Sequence, residues 1–122
     1  MYDKELVLDL LENMIDSTNK IINRTSNIKC ADDFLKDDNS LMLLDSVCMQ
    51  LIAIGEAVKK IDKITQKKLL ENYPNIPWLE VAGMRDIISH HYFDLNSEVV
   101  YEVVKNHIEN LRDCLNKIKS EI

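Results

Sequence analysis

Apolar residues recur at intervals of three and four along most of the chain, a spacing typical of amphipathic helices. A first helix is predicted from residue 3 to about residue 25, with Asp3 as its N-cap. A second is predicted from Leu41 to about Ile61. Gly55 lies within it at a cost of about 1 kcal/mol relative to alanine, which predicts a close helix contact there.

The segment from Asn27 to Ser40 interrupts this periodicity and carries four aspartates. Four carboxylates so close together are compatible with a metal site or with a solvated connector that includes a short helical turn at Phe34-Leu35. They lack the spacing of a calcium-binding loop. We therefore predict the connector, with the carboxylates as caps, at the following positions: Asp32, Asp33, Asp37 and Asp38.

The second half of the chain predicts three further helices. Thr65 is suited to cap a short one that ends at Asn72, and Pro77 to begin one that runs to His91. A last helix, capped by Asn96 or Ser97, reaches Lys119. The prediction is an all-α fold, an antiparallel four- to five-helix up-and-down bundle in one domain spanning residues 1–122.

Composition supports this fold and narrows the function. With two glycines and two prolines in 122 residues, helices are favoured over many short strands. The net charge of −6 argues against a broad basic surface for nucleic acid, so binding of RNA must rest on a local site.

Localisation, cysteine chemistry and cofactors follow from the same reading. No membrane span or signal segment is evident, so we expect a cytoplasmic protein without a membrane partner. The cysteines are far apart, which predicts reduced thiols at least partly in the core, without a metal site or cofactor: Cys30, Cys48 and Cys114.

The segment from Met84 to Phe93 concentrates reactive side chains near the end of a predicted helix. Arg85 and Tyr92 are seven residues apart and share a face, and Asp86 and His90 are spaced for a hydrogen bond. Arg85 and His90 are five apart, about 140° around a helix. They could converge where the helix frays or bulges, or across a cleft formed with a second subunit.

These residues carry a resemblance to the HepT-like proteins of the HEPN superfamily. Arg85, His90 and Tyr92 match that family's RxxxxHxY motif. Further segments resemble the family pattern in the same order, over nearly the whole chain: Ile54-Gly55-Glu56-Ala57, Ile76-Pro77-Trp78, Ala82-Gly83-Met84-Arg85 and Tyr92-Phe93.

The resemblance implies a toxin of a type VII toxin–antitoxin pair, a homodimer that cleaves RNA without a metal. Arg85 and His90 would be the catalytic pair in the cleft between protomers, and Tyr92 the residue AMPylated by a partner nucleotidyltransferase, the antitoxin. Asp86 replaces the asparagine often found after the motif arginine, and an acidic group there would partly neutralise Arg85.

The chemistry of RNA cleavage suits these side chains. The 2′-hydroxyl of RNA can attack the neighbouring phosphorus once it is deprotonated, and DNA, which lacks this hydroxyl, is spared. Histidine titrates near neutral pH and can serve as base or acid. A permanently charged guanidinium stabilises the negative charge that gathers on the phosphorane.

A structural role is the alternative for each residue of the motif and for Phe93. Arg85 could pair with Asp86 or Glu80 at the surface, His90 could cap its helix, and Tyr92 and Phe93 could close the core.

Four other residues have weaker predicted roles. His91 is predicted to face solvent or to line the rim of the cleft, and Glu56 to pair with Arg85. Trp78 is predicted in the core, and His107 as a packed, hydrogen-bonded histidine. The alternative function is a non-catalytic helical dimer that binds and regulates a nucleotidyltransferase.

Overall fold

The computed structural model describes residues 2–90, 92–94 and 96–122, and at residue 92 it describes the backbone alone. The described residues form helices and turns without a strand, which confirms the predicted all-α fold. Three short 3₁₀ segments supplement the α-helices, at Ala31–Phe34, Leu70–Asn72 and Tyr92–Asp94. The α-helices in this part of the chain are α1 (Lys4–Arg24), α2 (Asp38–Thr65), α3 (Trp78–Ala82), α4 (Met84–His90), α5 (Ser97–Asn106) and α6 (Ile108–Glu121).

Helix α1 forms as its sequence predicts. The Asp3 carboxylate accepts a hydrogen bond from the Leu6 amide at 3.1 Å, which satisfies an amide that the first turn leaves unpaired. The buried side chains recur every three or four residues and pack against α2 and α6. They are Val7, Leu11, Met14, Thr18 and Ile21.

Helix α2 is longer at both ends than the sequence predicted. It begins at Asp38 because the Asp37 carboxylate accepts from the Ser40 amide at 2.8 Å. It continues to Thr65, whose hydroxyl donates to the Ile61 carbonyl within the same helix. The prediction that Thr65 caps a separate helix is therefore wrong, and a turn with a left-handed Gln66 (φ 54°) follows instead.

The aspartate-rich segment is a capped connector. Asp33 accepts a hydrogen bond from the Lys29 amide at 2.8 Å, and this bond holds the pKa of its carboxyl below the usual value. The hydrogen bonds from Ser40 lower the pKa of Asp37 in the same way. Phe34, in the 3₁₀ turn, is fully buried. Among the described residues, no group of acidic, histidine or cysteine side chains could hold a metal ion.

Two of the predicted helices are each divided in two. The first begins at Trp78, with Pro77 as N-cap and not as its first residue, and it breaks at Gly83 between α3 and α4. The last breaks at His107 between α5 and α6, and its N-cap is Asn96, one of the two residues predicted for that role. The His107 side chain is 59% exposed, and its Nε2 is 3.8 Å from Glu102 Oε1. The prediction of a packed His107 is wrong because the break turns it out of the apolar stripe, in which Ile108 is buried instead.

One hydrophobic core joins α2 to the surrounding helices. Cys48 and Cys114 are buried in it whereas Cys30 is exposed, so two of the three thiols match the prediction. Burial raises the pKa of the Cys48 thiol to about 11 and also raises that of Cys114.

Helix α2 comes closer to a membrane span than the sequence analysis expected. Its length and composition alone would allow it to cross a membrane. The core helix of a soluble protein passes the same test, and α2 contacts α1, α3 and α4.

Candidate functional site

The candidate site begins at a close contact between α2 and α3. A Cβ atom built on Gly55 would lie 2.8 Å from the Val81 carbonyl oxygen and 3.4 Å from that of Ala82. Side chains do not approach a backbone oxygen so closely, so only glycine allows this separation. The contact predicted at Gly55 is confirmed, and it brings the start of α4 against the middle of α2.

The residue after this glycine contacts the motif arginine. Glu56 Oε1 accepts a hydrogen bond from Arg85 Nη1 at 3.1 Å, and Lys59 Nζ lies 3.8 Å from the same oxygen. The predicted partnership of Glu56 and Arg85 is present as a contact between α2 and α4. Neither Asp86 nor Glu80, also described in full, forms an ion pair with Arg85. The carboxylate that partly neutralises Arg85 is therefore Glu56 and not the adjacent Asp86.

Helix α4 carries both Arg85 and His90 on an exposed surface. Ile88 is 2% exposed and anchors the helix in the core, whereas Arg85 and His90 are exposed. At 100° per residue, Arg85 lies about 60° from the buried direction of Ile88 and His90 about 160° from it. Arg85 thus leans along the edge of α4 toward α2, and His90 points away from the core.

Within α4 itself, the side chains of Arg85 and His90 do not converge. Helix α4 runs without interruption from Met84 to His90, so no bulge lies between the two residues. They are about 7.5 Å apart along the axis. Convergence of two such groups then depends on the end of α4 or on a second subunit.

Two predicted roles near His90 stay predictions, and one predicted hydrogen bond is absent. His91 lies outside the described residues, and so does the side chain of Tyr92, so both roles stay predictions. The backbone of Tyr92 lies in the 3₁₀ turn directly after α4. Asp86 and His90 are both exposed, and no hydrogen bond joins their side chains.

Large apolar side chains are exposed on α4 and on the segments before and after it in the chain, and their exposure was not predicted. Phe93 is 97% exposed, so the interpretation that it closes the core is wrong. Large apolar side chains exposed on neighbouring segments of the chain are candidates for an interaction surface. We call this group the apolar group around α4: Leu79, Ile87, Phe93 and Val99. The signal was available, because Leu79 and Ile87 lie off the apolar periodicity formed by Trp78, Val81, Met84 and Ile88.

The apolar core and cavity beside the candidate site are separate from Arg85 and His90. Trp78 is half-buried, packs against the core and donates from Nε1 to the Tyr73 carbonyl at 3.0 Å, so its predicted core position is confirmed. A cavity of about 200 Å³ lies between α3 and the α5–α6 junction, bounded by Val81, Met84 and His107. Neither Arg85 nor His90 lines this cavity, and both are exposed on the surface.

Comparison with known proteins now decides the family. The model of a family described as Ribonuclease HepT-like matches residues 5–118. The chain belongs to this family. The resemblance drawn from the RxxxxHxY motif is thereby confirmed.

Individual relatives of this HepT-like chain cover most of both sequences. A Methanocaldococcus jannaschii protein, named as a candidate RNase, is 38% identical over 119 residues, which are 98% of this chain and 88% of the relative. A Thermococcus cleftensis protein named "probable ribonuclease HepT" is 35% identical over 111 residues, 91% of this chain and 94% of the relative.

A more distant relative carries a more specific name. The Shewanella oneidensis protein named "mRNA nuclease HepT" is 22% identical over 131 residues, which are 93% of this chain and 98% of the relative. No solved structure matches the chain significantly. The HepT-like chain is thus a member of a ribonuclease family.

Proposed function

We propose that this HepT-like chain is a metal-independent endoribonuclease whose Arg85 and His90 act on one RNA phosphate in a cleft between two copies of the chain. The observation that carries the proposal is the exposure of both motif side chains on one seven-residue helix, in a chain that belongs to a ribonuclease family. The name of the Shewanella relative supports RNA, and messenger RNA in particular, as the substrate.

The proposed reaction is an internal transesterification. A neutral His90 takes the proton of the 2′-hydroxyl, whose oxygen forms a bond to the adjacent phosphorus while the bond from phosphorus to the 5′-oxygen breaks. A protonated His90 from the second copy supplies the proton to that departing oxygen. Arg85 stabilises the phosphorane charge. The products are a 2′,3′-cyclic phosphate and a 5′-hydroxyl.

A second copy of the chain gives these groups a common target. His90 points away from the core of its own subunit, so a phosphate that faces His90 lies outside the subunit. The apolar group around α4 provides surface that a second copy can bury. A two-fold axis near α4 brings two copies of each catalytic group to one cleft.

Control of the activity is proposed to act through Tyr92. A nucleotidyltransferase antitoxin would transfer AMP from ATP to the hydroxyl of Tyr92, a residue that follows α4 in the chain, and would release pyrophosphate. The added phosphate is negative and bulky, and it would repel the RNA backbone from the cleft. This modification makes the chain the toxin of a type VII toxin–antitoxin pair.

The competing function is a non-catalytic dimer that binds and regulates the nucleotidyltransferase. The net charge of −6 favours it, since an acidic protein attracts RNA poorly. Growth of cells that express the chain separates the two functions. We expect His90→Ala to abolish toxicity and His107→Ala, at an exposed histidine outside the site, to retain it. Equal growth with all three proteins would favour the scaffold.

The modification has its own test. Co-expression with the neighbouring nucleotidyltransferase should add AMP to the chain, as measured by intact mass. Tyr92→Phe should abolish the added mass, whereas Tyr2→Phe, at an exposed tyrosine elsewhere in the chain, should not. AMP retained on the Tyr92→Phe protein would show that the acceptor is elsewhere.

A further inference from the structure

A guanidinium that stabilises a phosphorane must be held in place before the reaction begins. Electrostatic stabilisation is effective when the donor is preorganised, and small displacements of a catalytic group are costly. The Arg85 side chain is 57% exposed, and packing alone does not fix a long side chain at the surface. What holds it is the contact with Glu56.

The geometry of this contact leaves the guanidinium usable. Arg85 donates to Glu56 through Nη1, and no other hydrogen bond from its guanidinium to a described residue is present. Its Nε and Nη2 groups are therefore available for two parallel hydrogen bonds to phosphate oxygens. A carboxylate that blocked the phosphate would instead occupy that pair of donors.

Glu56 is well placed to orient another side chain. It lies in the middle of α2, directly after Gly55, where the backbones of α2 and α3 are in closest contact. Its side chain is 34% exposed, less than that of Arg85. The Lys59 ammonium group lies 3.8 Å from the same carboxylate oxygen. One carboxylate between two cations leaves a net charge of +1, which attracts an anion.

We propose that Glu56 is a positioning residue for RNA cleavage, which holds Arg85 through Nη1 and directs the Nε and Nη2 groups toward the scissile phosphate. This role rests on the proposed ribonuclease activity. Glu56 touches no reacting atom and acts through Arg85. The opposite role, in which Glu56 competes with RNA for Arg85 and inhibits the enzyme, predicts the opposite effect of its removal.

The experiment compares three variants of the full chain. Glu56→Ala removes the contact, and Glu56→Gln keeps an oxygen that can still accept from Nη1. Glu12→Ala is the matched control, because Glu12 pairs with Lys119 at 3.0 Å between α1 and α6, away from the motif. Each protein is assayed for kcat and KM on an RNA oligonucleotide, and for its melting temperature. Binding of a 2′-O-methyl version of the oligonucleotide, which cannot be cleaved, gives a second readout.

The expected result separates positioning from folding. Glu56→Ala should lower kcat about 10- to 100-fold, the size of effect that misplacing a catalytic group produces. Its melting temperature should change no more than that of Glu12→Ala. Glu56→Gln should recover activity to within about tenfold of wild type, since it retains one hydrogen bond. Higher activity in Glu56→Ala, or activity equal to wild type, would overturn the positioning role.

Failure of this role and failure of the nuclease proposal give different results. If wild type cleaves RNA and Glu56→Ala cleaves it equally well, the positioning role alone fails. If wild type binds the 2′-O-methyl RNA but does not cleave RNA, the proposed function fails. Weaker binding by Glu56→Ala and not by Glu12→Ala would then still show that Glu56 positions Arg85 for a phosphate, and unchanged binding would overturn that as well. Neither cleavage nor binding by wild type would overturn both.

Discussion

The three long helices and the two short helices α3 and α4 are built differently. Helices α1, α2 and α6 are 21, 28 and 14 residues long, and each buries a row of side chains. Helices α3 and α4 are 5 and 7 residues long, and Ile88 is the one buried residue in the two together. The long helices form the stable scaffold, and the short ones present polar and apolar side chains to the outside.

This difference separates the helices that stabilise the fold from the helices that carry the candidate site. A helix of one or two turns is unstable by itself, so α3 and α4 depend on the scaffold for their structure. Their few buried positions leave most side chains free to face a ligand or a second subunit. The contact of Gly55 with α3 and the pair of Glu56 with Arg85 connect the two regions.

A leucine from each region gives the largest expected contrast. Leu11 is fully buried in α1, whereas Leu79 in α3 is 89% exposed. Leu11→Ala should lower the free energy of unfolding by about 2–5 kcal/mol, because it leaves a cavity in the core. Leu79→Ala should change it by less than about 0.5 kcal/mol. Urea unfolding measures both, and an equal loss in the two variants would show that the short helices belong to the stable core.

Substitution of Gly55 tests the connection between the regions. The alanine Cβ would meet the Val81 carbonyl oxygen at 2.8 Å and force α2 and α3 apart. Overpacking costs about 1–3 kcal/mol, and the better helix propensity of alanine stabilises the helix by about 1 kcal/mol. We therefore expect a net loss of up to about 2 kcal/mol, measured by urea unfolding, together with reduced RNA cleavage.

Gly83 provides the matched control for Gly55. A Cβ there would lie 3.4 Å from the Leu79 carbonyl oxygen, and the backbone is already in the right-handed helical region. Gly83→Ala should be neutral, or should raise the free energy of unfolding by about 0.4–1 kcal/mol. A Gly55→Ala protein as stable and active as Gly83→Ala would contradict the close contact.

Tyr73 gives the smallest effect and a pH dependence. Its hydroxyl donates to the Glu121 carboxylate, and this bond raises the pKa of Tyr73 to about 12. Because the raised pKa belongs to the folded state, the contribution to stability is complete below pH 10 and is lost as the pH rises toward 12. Tyr73→Phe should cost less than about 1 kcal/mol at neutral pH, since the pair is exposed.

Alkaline titration checks this assignment. Stability measured by urea unfolding should fall between pH 10 and 12 less steeply in Tyr73→Phe than in wild type. Glu121→Gln should also reduce the slope, because it removes the charge that opposes ionisation of Tyr73. An unchanged slope in both variants would contradict the bond.

The sequence predicted the scaffold better than the short helices. The cap at Asp3 was predicted, and Asn96 was one of two predicted candidates with Ser97, because a side-chain oxygen before an apolar periodic run has a local function. The breaks at Gly83 and His107 were missed because the apolar period continues across both, and tertiary packing decides where each helix ends. Helix α2 begins earlier than predicted because Asp37 caps its first turn.

For the candidate site, the sequence predicted residues and one contact. Glu56 was expected to meet Arg85 from its place in the family pattern, and the two do meet. The relation of Arg85 to His90 could not follow from spacing, because helix geometry separates them within a subunit. The exposure of Phe93 also depends on the tertiary structure, which periodicity does not contain.

The central claim is that the chain cleaves RNA through His90 without a metal. The most direct test is to identify the RNA products that wild type and His90→Ala form in the presence of a metal chelator. Wild type should cleave RNA and leave 2′,3′-cyclic phosphate and 5′-hydroxyl ends, and a 2′-O-methyl oligonucleotide should stay intact. His90→Ala should be slower by about 10²- to 10⁴-fold, the contribution typical of a general acid or base. Equal cleavage by wild type and His90→Ala, or cleavage by wild type that the chelator abolishes, would contradict the account.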